Sequence, residues 1–133
     1  MKSKFLVSVC SLVGFLLISM NVSALPPKEM ITKVTIGPIN PKMVNDGKSL
    51  YASKCIVCHD LDQKKVGPTL RNVFKERSPE YLMNVIYNTT KMQKNDPTFK
   101  SLVVKFKNLP MPDPNLTEAQ SRSLLEYLRS VAK

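Results

Sequence analysis

Two thiols and one imidazole lie within the five residues CIVCH at positions 55–59. Such side chains bind transition metals, exchange disulfides or form thioether bonds. His59 is the only histidine, so sites built from several histidines are excluded. Because Cys55 and Cys58 are three residues apart, they project from one face of a helical turn, and His59 follows directly. This pentapeptide is the first candidate for a functional site.

The pattern Cys-X-X-Cys-His is the attachment signature of c-type haem. Two sulfurs on one helical turn can form thioethers with two vinyl groups at one edge of a porphyrin. His59 can then bind iron through one ring nitrogen, while the other donates a hydrogen bond that fixes the tautomer. The nearest backbone acceptors lie at residues 67–70. We predict one covalent haem c, attached through Cys55 and Cys58, with His59 as an iron ligand.

Three other interpretations of the pentapeptide remain, each lacking something it needs. A zinc site needs four ligands, and the chain after residue 24 has no cysteine or histidine beyond Cys55, Cys58 and His59. A thioredoxin-like pair usually accompanies alternating strands and helices, a pattern this sequence does not show. A structural disulfide would leave His59 without a role.

A second iron ligand could be methionine, lysine, a terminal amine or water, since there is no second histidine. The methionines after the apolar N-terminal segment are Met30, Met43, Met83, Met92 and Met111. Met83 falls within a predicted amphipathic helix, where methionine is usually core, and Met30 and Met43 precede the attachment site. Met111 lies in a proline-stiffened loop, which holds a thioether at low entropic cost. We predict Met111, with Met92 as its competitor just past a predicted helix end.

Residues 1–24 have the pattern of an export signal. Lys2 and Lys4 precede an apolar run at residues 5–20, and the segment ends in the small-residue sequence VSA. The run of 16 residues is shorter than the roughly 18–20 needed to span a membrane, so a retained anchor is the less favoured alternative. We predict cleavage after Ala24 and a periplasmic location, with membrane attachment only if this segment is retained.

The remaining sequence predicts a proline-rich arm at residues 25–43 and an all-α domain at residues 44–133. Alternation at residues 31–36 indicates at most one isolated strand in the arm. Capping residues and apolar spacing predict helices at about 45–54, 79–90 and 96–107, and a last helix after Thr117. Residues 109–114 contain three prolines and cannot be helical throughout.

The order of these motifs resembles that of the small class I cytochromes c. The matching segments are CIVCH at 55–59, GPTL at 67–70, LPMP at 109–112 and EYL at 126–128. The resemblance spans roughly Met43 to Val131 and leaves only the arm outside. It implies an all-α cytochrome c fold of about four to five helices around one covalently bound haem.

The resemblance also assigns roles to individual residues. It implies that the carbonyl of Pro68 orients the proximal histidine and that Met111 is the distal ligand. It further implies a tight crossing of the first and last helices, with Gly47 and Tyr51 meeting Leu124 and Tyr127. Such a crossing would account for a glycine inside a helix, which otherwise costs about 1 kcal/mol relative to alanine.

A haem with both axial positions filled has no open site for substrate, and no acid, base or nucleophile pair accompanies it. We therefore predict a one-electron carrier and no enzyme activity. The alternatives are a haem subunit of a larger oxidoreductase and a gas sensor with a displaceable methionine. The side chains expected to exclude water from the ring are Leu61, Val66, Leu70, Leu102, Val103, Phe106 and Leu109.

The chain is strongly basic, with 20 Lys and Arg against 10 Asp and Glu among its 133 residues. The lysines flanking the candidate site are Lys54, Lys64, Lys65, Lys105 and Lys107. A positive ring around the haem edge would steer docking onto acidic redox partners, in encounters that are weak and small in area. We expect a monomer or a weak complex, and no nucleic-acid partner.

Overall fold

The computed structural model describes residues 27–133, so the predicted signal peptide and the first two arm residues lie outside the described residues. Residues 27–133 contain six α-helices and form no strand. The α-helices are α1 (Pro41–Leu50), α2 (Val73–Glu76), α3 (Pro79–Tyr87), α4 (Thr89–Asn95), α5 (Pro97–Lys105) and α6 (Glu118–Ser130), and a π-helical turn at Tyr51–Cys55 continues α1. The prediction of an all-α fold is confirmed.

Several helix boundaries differ from the sequence prediction for local reasons. Helix α1 starts at Pro41 rather than near residue 45, because Asn40 caps it by accepting the Met43 N–H at 3.2 Å. The helix expected to reach residue 90 ends at Tyr87, and α4 follows as a separate helix. The short helices α2 and α4 were not predicted, because neither carries a long apolar stripe.

Helices α1 and α6 pack closely across Gly47, which is buried. A Cβ atom at residue 47 would lie 2.7 Å from the Ser123 carbonyl carbon and 2.8 Å from the Tyr127 Cβ. The rings of Tyr51 and Tyr127 pack beside this point, with their centroids 5.4 Å apart. The crossing is thus as the family resemblance implies, although Ser123 rather than Leu124 faces the glycine.

Arm residues 27–40 are held against α3 and α6 by side chains rather than by strand pairing. The buried side chain of Asn84 accepts from the Ile31 N–H at 2.9 Å and donates to the Ile31 carbonyl at 2.8 Å. Asn88 donates to the Glu29 carbonyl at 2.9 Å. The Val34 N–H donates to the Glu80 carboxylate at 3.0 Å. The alternating stretch at 31–36 is thus tied down by side chains at two of its residues and pairs with no strand in residues 27–133.

Candidate functional site

The π-helical turn delivers the first cysteine to the site. The Ile56 N–H donates to the Tyr51 carbonyl at 3.1 Å, five residues back, which ends the helix at Cys55. The N–H groups of Cys58 and His59 both donate to the Cys55 carbonyl, at 3.1 and 2.9 Å. These two bonds fold the pentapeptide into one tight turn and bring both sulfurs and the imidazole to the same region.

The segment at residues 67–71 lies alongside the histidine segment and is bonded to it through the backbone. The Gly67 N–H donates to the Cys58 carbonyl at 2.8 Å, and the Leu70 N–H donates to the Asp60 carbonyl at 3.0 Å. Arg71 ties this pair of segments to the C-terminal end of the domain by donating to the Val131 carbonyl at 2.9 Å. Sequence reasoning missed Arg71, because an isolated arginine gives no signal of the carbonyl it will reach.

The imidazole of His59 is oriented by the carbonyl of Pro68, 2.9 Å from its Nδ1 atom. A carbonyl oxygen can only accept, so Nδ1 carries the hydrogen and Nε2 keeps its lone pair. Burial lowers the pKa of His59, opposed by the bond to Pro68, which favours the charged form. The imidazole is therefore set up as a neutral metal ligand through Nε2.

Gly67 gives the imidazole the space it occupies. A Cβ atom at this position would lie 2.8 Å from His59 Nδ1 and would collide with other atoms of the same ring. From the sequence, residue 67 was expected as one of several possible carbonyl acceptors for the histidine and as part of the GPTL motif. Glycine is needed at residue 67 because the residue contacts His59, eight positions earlier in the chain. No local sequence pattern reveals such a contact.

Both cysteines of the pentapeptide are free thiols; Cys55 is buried and Cys58 half-buried. Burial and the neighbouring Cys58 raise the pKa of the Cys55 thiol to about 11. Redox-active thiol pairs have the opposite property, a pKa lowered toward or below neutrality. This environment therefore disfavours the thioredoxin-like interpretation.

An apolar cavity of about 430 Å³ opens beside these residues. Cys55, Cys58, His59 and Pro68 line it, and so does Met111 from the proline loop, residues 109–114. Met92 does not line the cavity: it lies buried within α4, as part of the protein interior. Among the methionines in residues 27–133, Met111 alone borders the same space as His59.

Most of the side chains that were expected to exclude water from the haem line the cavity. Six of the seven predicted side chains line it: Val66, Leu70, Leu102, Val103, Phe106 and Leu109. Leu61 does not, because it packs instead against the hydrophobic core. Helices α3 and α6 add side chains that were not assigned to the site from sequence, namely Tyr81, Leu82, Val85, Ile86, Leu124 and Leu128.

The rim of the cavity is basic and partly apolar. Lys64 and Lys105 line the cavity, and together with Lys65, Lys107, Val66, Phe106 and Leu109 they also line an adjoining surface depression. The Lys64 ammonium lies 5.2 Å from the centroid of the Phe106 ring. Four of the five lysines expected near the site therefore share one surface, and Lys54 lines neither cavity.

These residues fit a covalently attached haem. The space is mainly apolar, two free thiols and a neutral imidazole stand at its wall, and a thioether borders the same space. Lys64, Arg77 and Lys105 line it against one carboxylate, Glu76, which suits a ring that carries two propionate groups. In the described part of the chain no group of three or more His, Cys, Asp or Glu could hold a metal ion, so a protein-only zinc site has no support there.

Comparison with known proteins agrees with this geometry. The family model for cytochrome c matches residues 44–132. Cytochrome c-551 of Stutzerimonas stutzeri is 28% identical over 116 residues, which cover 78% of this chain and 97% of that protein. Cytochrome c-552 of Hydrogenobacter thermophilus is 31% identical over 77 residues, 58% of this chain and 71% of that protein.

The fold is also that of a solved structure, a cytochrome c from Rhodothermus marinus. The two share 40% sequence identity and superpose with a TM-score of 0.73, over 77% of this chain and 88% of the other. With a helical fold, a cavity bordered by the CIVCH segment and relatives of this kind, the chain belongs to the cytochrome c family as a small class I c-type cytochrome, a haem-based electron carrier.

Proposed function

We propose that this protein carries one haem c, bound through thioethers to Cys55 and Cys58, with His59 and Met111 as its axial ligands. The observation that carries the proposal is the single cavity shared by all four side chains. When bound, the haem supplies the one-electron couple. The protein's own residues hold the ligand atoms and keep water from the site.

Each ligand has its own support. The Pro68 carbonyl holds the hydrogen on Nδ1 of His59 and leaves Nε2 for iron. The proline loop holds Met111 at the cavity wall with little conformational freedom to lose. A thioether opposite an imidazole, in apolar surroundings, favours a positive reduction potential. With both axial positions taken, no position is left for a substrate, which supports electron transfer rather than enzyme activity.

Absorption spectra of the mature protein test the distal ligand. Ferric haem ligated by sulfur has a weak band near the red end of the spectrum. We expect this band in the wild type and in Met92→Ala, and its loss in Met111→Ala. Loss in Met92→Ala with retention in Met111→Ala would overturn the assignment, and a mass without one added haem would overturn the attachment.

Carbon monoxide distinguishes the carrier from a gas sensor. A carrier whose methionine stays bound should take up carbon monoxide slowly in the ferrous state, and Met111→Ala should take it up fast. Rapid uptake by the wild type would favour the sensor. A stable complex in a native extract, seen by size exclusion, would favour the haem subunit of a larger oxidoreductase.

The basic rim is the surface we propose for docking acidic redox partners. Lys64, Lys65, Lys105 and Lys107 surround exposed apolar side chains there, a combination suited to brief encounters steered by charge. We also propose export to the periplasm, on the pattern of residues 1–24. Within residues 27–133 no helix is long and apolar enough to cross a membrane.

A further inference from the structure

The proline loop has few backbone hydrogen bonds of its own. Three of its residues, Pro110, Pro112 and Pro114, have no N–H to donate. Among residues 27–133, the one bond from a loop N–H to a backbone carbonyl is that of Leu109, which reaches the end of α5 at 3.2 Å. The prolines stiffen the loop, but few backbone hydrogen bonds attach it to the rest of the protein, so side chains from other elements contribute to the position of Met111.

One side chain reaches the backbone of Met111 directly. The Gln93 side-chain amide donates from Nε2 to the Met111 carbonyl at 2.7 Å, in a partly buried position. Gln93 comes from α4, in which Thr89 and Met92 are buried, and it lies on the same side of the helix as Thr89, four residues earlier. Burial of those two residues packs α4 against the protein interior, and the Gln93 amide reaches the loop from this helix.

The other contacts to the loop are weaker. Thr90 donates to the Asp113 carboxylate at 3.3 Å in an exposed position, and Lys28 of the arm lies 3.9 Å from the same carboxylate. Long contacts between partly solvent-exposed groups contribute little. Both also act two residues beyond Met111, on a side chain rather than on the backbone that carries the thioether.

We propose that Gln93 is a positioning residue for the distal ligand: its amide holds the Met111 carbonyl and so keeps the thioether at the cavity wall. This inference rests on the proposed role of Met111 as an iron ligand. It explains what α4 contributes to the site although its own methionine, Met92, is turned into the interior.

Two substitutions of Gln93 test the role. Gln93→Ala removes the donor, and alanine is a good helix former, so α4 should persist. Gln93→Glu keeps the size but places an acceptor against a carbonyl oxygen, so its effect should be at least as large. Lys94→Ala, at an exposed neighbour on α4, controls for changes to the helix. Gln63→Glu, at an exposed residue of another loop, controls for the added charge.

The readouts are the ferric sulfur band, the rate of carbon monoxide binding to the ferrous holoprotein, and amide hydrogen exchange of residues 107–116. Losing one hydrogen bond of ordinary strength should raise the population of the displaced loop by about fivefold. We expect faster carbon monoxide binding and faster exchange by that factor in both Gln93 variants, with a weaker sulfur band. Both control variants should match the wild type.

The outcomes separate this inference from the proposed function. If Met111→Ala loses the sulfur band while both Gln93 variants keep wild-type band, binding rate and exchange, Met111 stands and the role of Gln93 is overturned. If Met111→Ala keeps the band, the ligand assignment fails, and the role of Gln93 fails with it. Equal changes in Lys94→Ala would also overturn the role, because they would show a general effect of α4.

Discussion

At the scale of single residues, the state of His59 is determined by neighbours that do no chemistry themselves. The Pro68 carbonyl selects the tautomer and Gly67 leaves room for the ring. Both come from one segment, which is bonded to the histidine segment through the backbone. An imidazole held in this way would need little reorganisation to bind a metal ion.

Gly67→Ala should disturb the imidazole without removing any ligand atom. The added methyl group would collide with the His59 ring, so either the ring or the segment at 67–71 must move. Overpacking of this kind costs about 1–3 kcal/mol. We expect a lower free energy of unfolding of the holoprotein in guanidinium and a changed reduction potential. Gly37→Ala is the matched control, since nothing lies within 4 Å of a Cβ there, and equal behaviour of the two variants would contradict the contact.

At the scale of elements, the packing of α1 against α6 positions the segment that carries Cys55. Helix α1 continues into the π-helical turn that ends at Cys55, so the position of α1 on α6 sets the position of the first thiol. Tyr51 links the two, packing on Tyr127 and donating its hydroxyl to the His59 carbonyl at 3.4 Å. A substitution at the crossing should therefore shift Cys55, because the turn that carries it continues α1.

Gly47→Ala should be among the most destabilising single-methyl additions in this protein. The new Cβ would lie against the backbone of Ser123, which cannot move aside as a flexible side chain could. Alanine's better helix propensity returns about 1 kcal/mol, so we expect a net loss of about 1–2 kcal/mol or more. Urea unfolding of the wild type and the variant measures this loss in the free energy of unfolding. Unchanged stability, or a gain like that possible for Gly37→Ala, would show that the helices can separate at no cost.

At the scale of the whole molecule, the charged side chains form two contrasting groups. The basic rim borders the cavity, and α6 carries a cluster of ion pairs. The clearest case is Glu126 of α6, which is 1% exposed and accepts from Arg122 at 2.7 Å and from Arg129 at 2.6 Å. It also accepts the Asn40 N–H at 3.0 Å, which ties the end of the arm to α6.

Charge steering by the rim predicts opposite salt effects for small oxidants of opposite charge. Oxidation of the ferrous protein by ferricyanide should slow as salt rises, and oxidation by a cationic cobalt complex should accelerate. Lys105→Glu should slow the ferricyanide reaction at low salt by on the order of fivefold. Lys48→Glu, the same charge change on an exposed residue of α1, should do less. Stopped-flow rates measure both, and equal effects would assign the steering to net charge rather than to the rim.

Glu126 predicts how stability depends on pH. Burial alone would raise the pKa of its carboxyl, but hydrogen bonds from Arg129, Arg122 and the Asn40 N–H outweigh burial and lower the pKa to about 2. A carboxyl with a depressed folded-state pKa stabilises the protein above its unfolded pKa, and this contribution disappears as the pH falls through the folded pKa. Near neutral pH this contribution is on the order of a few kcal/mol.

Glu126→Gln should therefore lower the free energy of unfolding at pH 7 and flatten its decline between about pH 5 and pH 2. Denaturant unfolding at a series of pH values measures the difference between the two proteins. Glu118→Gln, at an exposed acid in the first turn of the same helix, should keep the wild-type slope. The role of Glu126 is refuted if its variant retains that slope as well.

The sequence alone determined the family and the helical class, because the signals for both are local. The motif CIVCH, the proline loop and the caps of α3, α5 and α6 each depend on residues within a few positions of one another. The long apolar stripes predicted the bounds of α3, α5 and α6 to within a few residues. Residues 31–36 show the limit, since their alternation could not reveal that the side chain of Asn84 would bond both backbone groups of Ile31.

Tertiary structure alone decided what depends on contacts between distant residues. It brought Met111, rather than Met92, to the cavity that His59 borders, and it placed the amide of Gln93 on the Met111 carbonyl. It also made Gly67 necessary and gathered four of the five expected lysines on one rim. A sequence pattern records which groups are available. Which of them meet is decided by how the helices pack, because packing joins residues that the chain keeps far apart.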